Sequence, residues 1–142
     1  MATSVTASAA TSQDFPASVT QQRILNIQNY INNVVNDVVQ ANTNQLAADY
    51  SSTGRSLALL AKDLLPGKGC PLSPSHPAQN KNQAIAYLQK VQMILSELSL
   101  DVVAKDLTKG QTDICRATAQ YGDVANYVQE VGTDGQIATG VE

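Results

Sequence analysis

The chain has no tryptophan, a single phenylalanine (Phe15) and a single histidine (His76), and each shortage removes a class of function. With aromatics at 4% and hydrophobic residues at 43%, the core has to be built from Ile, Leu, Val and Ala. One histidine and two cysteines are too few to assemble a zinc or iron–sulfur centre. Charged residues make up 15%, against roughly 25% in an average domain. No basic stretch is available to neutralise phosphates, which argues against a nucleic-acid partner. Nor does any run reach the roughly 18 apolar residues of a membrane-spanning helix. The first ten residues lack the basic and strongly apolar regions of a secretory leader, so they read as a mature terminus only if a leader has already been removed.

What the chain does have is helical periodicity. Between residues 22 and 41, Ile24, Ile27, Ile31, Val34, Val38 and Ala41 recur at spacings of three and four, an apolar seam that needs a partner helix. Out of phase with that seam runs a stripe made only of carboxamides: Gln22, Asn26, Asn29, Asn33, Asn36 and Gln40. Solvated helix faces usually carry Lys and Glu, which are better helix formers than Asn. A row of amides instead offers donors and acceptors together, so identical faces can pair without charge repulsion. Asn26, Asn29, Asn33, Asn36 and Gln40 are therefore the candidate self-association residues.

The same periodicity recurs along the chain. A second helix carries Leu46, Tyr50, Thr53, Leu57, Leu60 and Leu64 and stops at Pro66-Gly67. Four of the five prolines fall between Pro66 and Ala78, in a connection longer than bundles usually have. A third helix is expected from about Gln79 to Lys109, with a bend near Ser99, ended by Gly110. Thr112 is placed as the cap of a fourth helix bearing Ile114, Ala117, Tyr121, Val124, Val128 and Val131. The expected fold is all-α, an up-down-up-down four-helix bundle over residues 19–131, with five helices if the third breaks near Ser99. Residues 1–18 and 132–142 are read as flexible tails.

Cys70 and Cys115 are the disulfide candidates, closing a loop of about 46 residues. In an up-down-up-down bundle they lie at opposite ends, about 45 Å apart along the third helix, whereas bridged Cα atoms lie within about 7 Å. An intramolecular bridge requires the third helix to fold back near Ser99 or the proline-rich connection to climb the bundle. Otherwise the thiols are free or pair between chains.

No catalytic constellation emerges. His76 sits between prolines, and pairing it with Cys70 leaves no third group to orient the pair. Leu65-Pro66-Gly67-Lys68-Gly69 lacks the spacing of a phosphate loop and follows a helix rather than a strand. The carboxylates are scattered, without the Glu-x-x-His pattern of a bundle metal site. Neither an enzyme, a cofactor nor a metal is expected. Tyr50, Tyr87 and Tyr121 fall on apolar faces and are the candidate lining of a cavity between helices for an apolar ligand. Two functions follow: a structural, self-associating subunit whose partner is itself or another protein, or a small secreted carrier of a lipid-like molecule. Low charge and an even cysteine count favour an extracellular or cell-surface setting.

Overall fold

The chain folds into five α-helices: α1 (Ala17–Val39), α2 (Thr43–Leu64), α3 (Lys81–Ala104), α4 (Leu107–Gly122) and α5 (Ala125–Thr133). The structure is a computed structural model and describes residues 17–67 and 69–133, so the expected tails lie almost wholly outside the described residues. No strand occurs among the described residues. Ile24, Ile31 and Val34 of α1 are buried with Leu57 and Leu60 of α2, Leu88, Leu95 and Leu98 of α3, and Ile114 of α4, in one aliphatic core.

The bundle is four-helical, with α5 continuing α4 after a break, but its helix directions differ from the expected order. α1 packs on α2 and α3, while α4 packs on α3 and α2. Gln21 reaches Ser99 and Gln28 reaches Gln92, so α3 runs antiparallel to α1. Tyr50 meets Tyr121 and Leu64 meets Gln111, so α4 runs antiparallel to α2. The order is therefore up-down-down-up. The connection over residues 65–80 makes this possible by climbing the length of α4. Gln111 Nε2 donates to the Leu64 carbonyl at its foot (2.8 Å), and the Ser75 and His76 amides donate to Asp123 Oδ1 at its top (2.9 and 3.1 Å). Gly122 lets Pro74 lie against the helix, since a β-carbon there would come within 2.5 Å of Pro74 Cγ. Cys70 and Cys115 meet partway up as an intramolecular disulfide, with Cα atoms 5.4 Å apart. Of the routes open to the bridge, the climbing connection is the one taken.

The third helix neither bends at Ser99 nor reaches Lys109. It ends at Ala104, where Lys105 turns left-handed (φ 57°), and Asp106 caps α4 by accepting the Lys109 amide (3.1 Å). Gly110 lies inside α4 rather than ending α3, and Thr112, placed as a cap, instead donates its hydroxyl to the Thr108 carbonyl within the same helix (3.2 Å). α4 parts from α5 at Asp123, whose carboxylate and carbonyl both serve the connection, the carbonyl accepting the Ala78 amide (2.7 Å). Because Gly110 is helical and a β-carbon there would meet the flexible end of Leu98 at 3.4 Å and Asp101 Cβ at 3.9 Å, both ordinary contacts, Gly110→Ala is expected to raise stability by about 0.5–1 kcal/mol. A chemical denaturation curve shifted to lower denaturant would contradict this.

The two halves repeat each other at an offset of 64 residues: α1 begins at Ala17 and α3 at Lys81, α2 at Thr43 and α4 at Leu107. Every buried residue of α1 (Thr20, Ile24, Ile27, Ile31, Val34, Asp37 and Val38) has a buried counterpart in α3 (Ala84, Leu88, Val91, Leu95, Leu98, Asp101 and Val102). In α2, Leu46, Thr53, Leu57, Leu60 and Leu64 match buried Gly110, Ala117, Tyr121, Val124 and Val128. Identical residues include Gln28/Gln92, Asp37/Asp101, Val38/Val102, Val39/Val103 and Asp49/Asp113. Even the corners agree: Ala41 (φ 56°) matches Lys105 (φ 57°), and the Asn42 amide donates to the Asp37 carbonyl as Asp106 donates to Asp101 (2.8 and 2.9 Å). The bundle is two helical hairpins related by an approximate two-fold axis, which passes between Gln28 and Gln92.

Candidate functional site

On α1 the carboxamide stripe faces away from the core: Asn29, Asn33, Asn36 and Gln40 are exposed and Asn26 is half-buried, accepting from Gln22 Nε2 (3.0 Å). The structure therefore brings the five candidate self-association residues together along one solvent-facing crest. A second set of amides lies beside it in the seam with α3. Gln28 Nε2 donates to the Gln92 carbonyl and Gln92 Nε2 to the Gln28 carbonyl, both at 3.1 Å, a reciprocal pair on the approximate two-fold axis. Gln28 also donates to Ser96 Oγ (3.0 Å), Gln92 to Asn32 Oδ1 (2.7 Å) and Gln21 to Ser99 Oγ (3.3 Å). Reading α1 as one isolated helix missed these residues. Their signal was the recurrence of Gln28 at Gln92.

Around this seam Leu25, Met93, Leu100 and Val103 are each more than half exposed. Most charged side chains of the two helices point elsewhere, while Lys81 at the start of α3 shares the helical register of Gln92 and Ser99. Arg23 pairs with Asp63 of α2, Asp37 and Asp101 are buried, Glu97 pairs with Arg116 of α4 (3.1 Å), and Lys90 lines a groove beside Arg116. A groove of about 400 Å³ between Leu25, Gln28, Asn32, Gln89, Gln92 and Met93 is thus lined by uncharged residues alone.

The three tyrosines do not share a cavity. The rings of Tyr50 and Tyr121 stack with centroids 4.4 Å apart. Each hydroxyl donates to the other residue's backbone carbonyl, Tyr50 to Tyr121 at 2.6 Å and Tyr121 to Tyr50 at 2.5 Å. Burial pushes both phenols well above their ordinary range, for Tyr50 with help from the charge of Asp123. The pair thus fills and clasps the α2–α4 interface. Tyr87 stands apart in an open groove of about 370 Å³ between the connection, α3 and α4, with His76, Lys90, Arg116 and Asp123. A more apolar groove of about 360 Å³ opens beneath the disulfide, between Leu65, Pro71, Leu72, Thr108, Gln111 and Cys115.

Cys70 is consumed by the bridge, so the Cys70–His76 pairing has no free thiol, and His76 Nδ1 instead lies 2.9 Å from Ser75 Oγ. Among the described residues no three His, Cys, Asp or Glu side chains gather to hold a metal ion, and no helix is long and apolar enough to cross a membrane. Sequence reading also missed two carboxyl pairs. Asp37 has the carboxyl of Asp49 as a neighbour at the α1–α2 corner, and Asp101 has that of Asp113 at the α3–α4 corner. Burial, then the carboxyl partner, pushes Asp37 and Asp101 each up to about 6, with Lys109 opposing the rise at Asp101. Arg116 is raised in turn by its hydrogen bonds to Glu97 and Asp113.

The chain matches no family model, no curated protein and no solved structure.

Proposed function

We propose that the protein is a non-enzymatic structural subunit that associates with copies of itself through the α1/α3 face, in an extracellular or cell-surface setting. The observation that carries this reading is the uncharged groove at the middle of a face that is also amide-rich and apolar. Leu25, Met93, Leu100 and Val103 supply surface that gains by leaving water, and the amides of Asn29 and Asn32 supply hydrogen-bonding groups that match a copy of themselves. The approximate two-fold axis leaves the molecule through this face at Gln28 and Gln92, so the face suits the self-complementary contact of a two-fold dimer. Two helices about 35 Å long and about 10 Å apart present roughly 700 Å², close to the roughly 800 Å² per partner of a stable interface. The disulfide and the low charge favour an oxidising compartment.

Support for the carrier reading is weaker, because Tyr50 and Tyr121 occupy with each other the space a ligand would need.

Light scattering of the purified protein is expected to give an oligomer. Leu25→Lys with Met93→Lys would set like charges against each other across the two-fold contact and is expected to weaken association about a hundredfold or more while leaving the helical circular dichroism unchanged. The crest variant Asn29→Lys, Asn33→Lys, Asn36→Lys is expected to have the same sign of effect. A monomeric wild type, or an oligomer indifferent to both sets, would sink the proposal.

A further inference from the structure

The two halves differ at most surface positions, yet both carry a carboxyl pair at the corner of the hairpin: Asp37 with Asp49, and Asp101 with Asp113. Asp37 and Asp101 occupy the last turns of α1 and α3, where the helix dipole already disfavours negative charge. Asp37, Asp101 and Asp113 are each more than nine-tenths buried, and each leaves Oδ2 without a donor. Two neighbouring carboxylates, buried with oxygens that no donor reaches, repel, and one proton shared between them relieves that repulsion. Because α1 and α3 are antiparallel, the two corners lie at opposite ends of the bundle.

We propose that the two carboxyl pairs are matched proton locks, one at each end of the bundle, each closed by a single shared proton and loosened when that proton leaves. The groups bearing on them differ between the ends. At the α1–α2 corner only Asp49 acts on Asp37, with the Tyr121 phenol near Asp49 and the neutral Gln45 donating to Asp49 Oδ1 (3.3 Å). At the α3–α4 corner Lys109 Nζ lies 3.7 Å from Asp101, Arg116 donates to Asp113 (2.8 Å) and pairs with Glu97, and Asp106 stands nearby. Asp49 is thus the charge bearing on Asp37, whereas Lys109 and Arg116 bear on the other pair, and the α1–α2 corner is the more sensitive lock. The device sets the fold to be firmest in mildly acidic surroundings and looser above neutrality.

The sign follows from linkage. A carboxyl whose folded pKa lies above its unfolded value binds more protons when folded, so its stabilisation is full below about 4 and is lost as pH rises through about 6. Each pair is expected to lower the folding equilibrium constant about tenfold between pH 5 and pH 7.5, and the two together about a hundredfold. Denaturant titrations of the full chain at the two pH values measure this, in a His76→Gln background that removes the single histidine. Asp37→Asn with Asp101→Asn places a neutral amide where the shared proton was, and is expected to flatten the dependence. A wild type equally stable at both pH values, or a slope unchanged in the double variant, overturns the proposal. Should the variant not fold, carboxyl-carbon NMR of the wild type decides. Two groups titrating near 6 uphold the locks, and titration of every carboxyl below 5 refutes them.

Discussion

Replacing Cys70 and Cys115 with alanine is expected to lower stability by about 4 kcal/mol, the chain-entropy value for a closed loop of about 46 residues. The bridge spans a sequence separation of 45, and the closed loop contains most of the climbing connection and all of α3. Without it the unfolded chain regains the freedom of that whole segment. In the folded state the connection keeps its remaining anchors, Gln111 on the Leu64 carbonyl at one end and Asp123 on the Ser75, His76 and Ala78 amides at the other. The helices should therefore survive under native conditions, while the denaturation midpoint falls steeply and hydrogen exchange rises over residues 69–78. Alanine is the better probe than serine, because Cys115 is buried and a hydroxyl there would add its own desolvation cost. A midpoint unmoved by reductant and by the double variant would mean that the connection is held elsewhere and that the bridge constrains little.

Residue spacing reveals the faces of helices, and here it placed the core except at Ala41, read as the end of the α1 seam but exposed in the left-handed turn beyond Val39. Ile24, Ile31, Leu57, Leu60, Leu88, Leu95 and Ile114 all fall where the three-four alternation sets them. Spacing cannot say which helices are neighbours, since an apolar stripe fits any partner stripe. The direction of α3 had to come from the connection, and its length was the clue: a segment long enough to climb α4 can start the next helix at the far end of the bundle. Gly110 misled because helix-ending glycine is a common pattern, whereas in this structure a small residue sits where α4 crosses Leu98 and Asp101, opposite in the repeat to Leu46. Asp106, the actual cap, is of a residue type that caps helices but stood among the scattered carboxylates, with Thr112 placed as the cap instead. The candidate site divides in the same way. The amide crest on α1 is a property of one helix and was readable. The reciprocal Gln28–Gln92 pair, the Tyr50–Tyr121 clasp and the two carboxyl pairs are properties of two helices. They become visible in sequence only once Gln28, Asp37 and Asp49 are aligned with Gln92, Asp101 and Asp113.

That alignment has a measurable consequence in the core. Ile31 and Leu95 occupy matched places in the two hairpins, both without exposed surface and both in the α1–α3 layer close to the approximate axis. Truncating a buried Ile or Leu to alanine costs the transfer energy of the lost methyl groups plus that of the cavity left behind, about 2–5 kcal/mol depending on how far the site can collapse. Since both residues belong to the same aliphatic core, the two sites should relax alike. Ile31→Ala and Leu95→Ala are each expected to cost about 2–5 kcal/mol and to agree within about 1 kcal/mol. Leu25→Ala, on the exposed side of α1, should change stability by less than about 0.5 kcal/mol. Denaturation of the three variants separates two pictures of the duplicated fold. Equal losses mean that both hairpins carry the core as equivalent halves. A loss at Ile31 several-fold larger than at Leu95, or the reverse, means that one hairpin holds the fold while the other is held by the disulfide and the connection, and the two-fold relation would then describe geometry without describing stability.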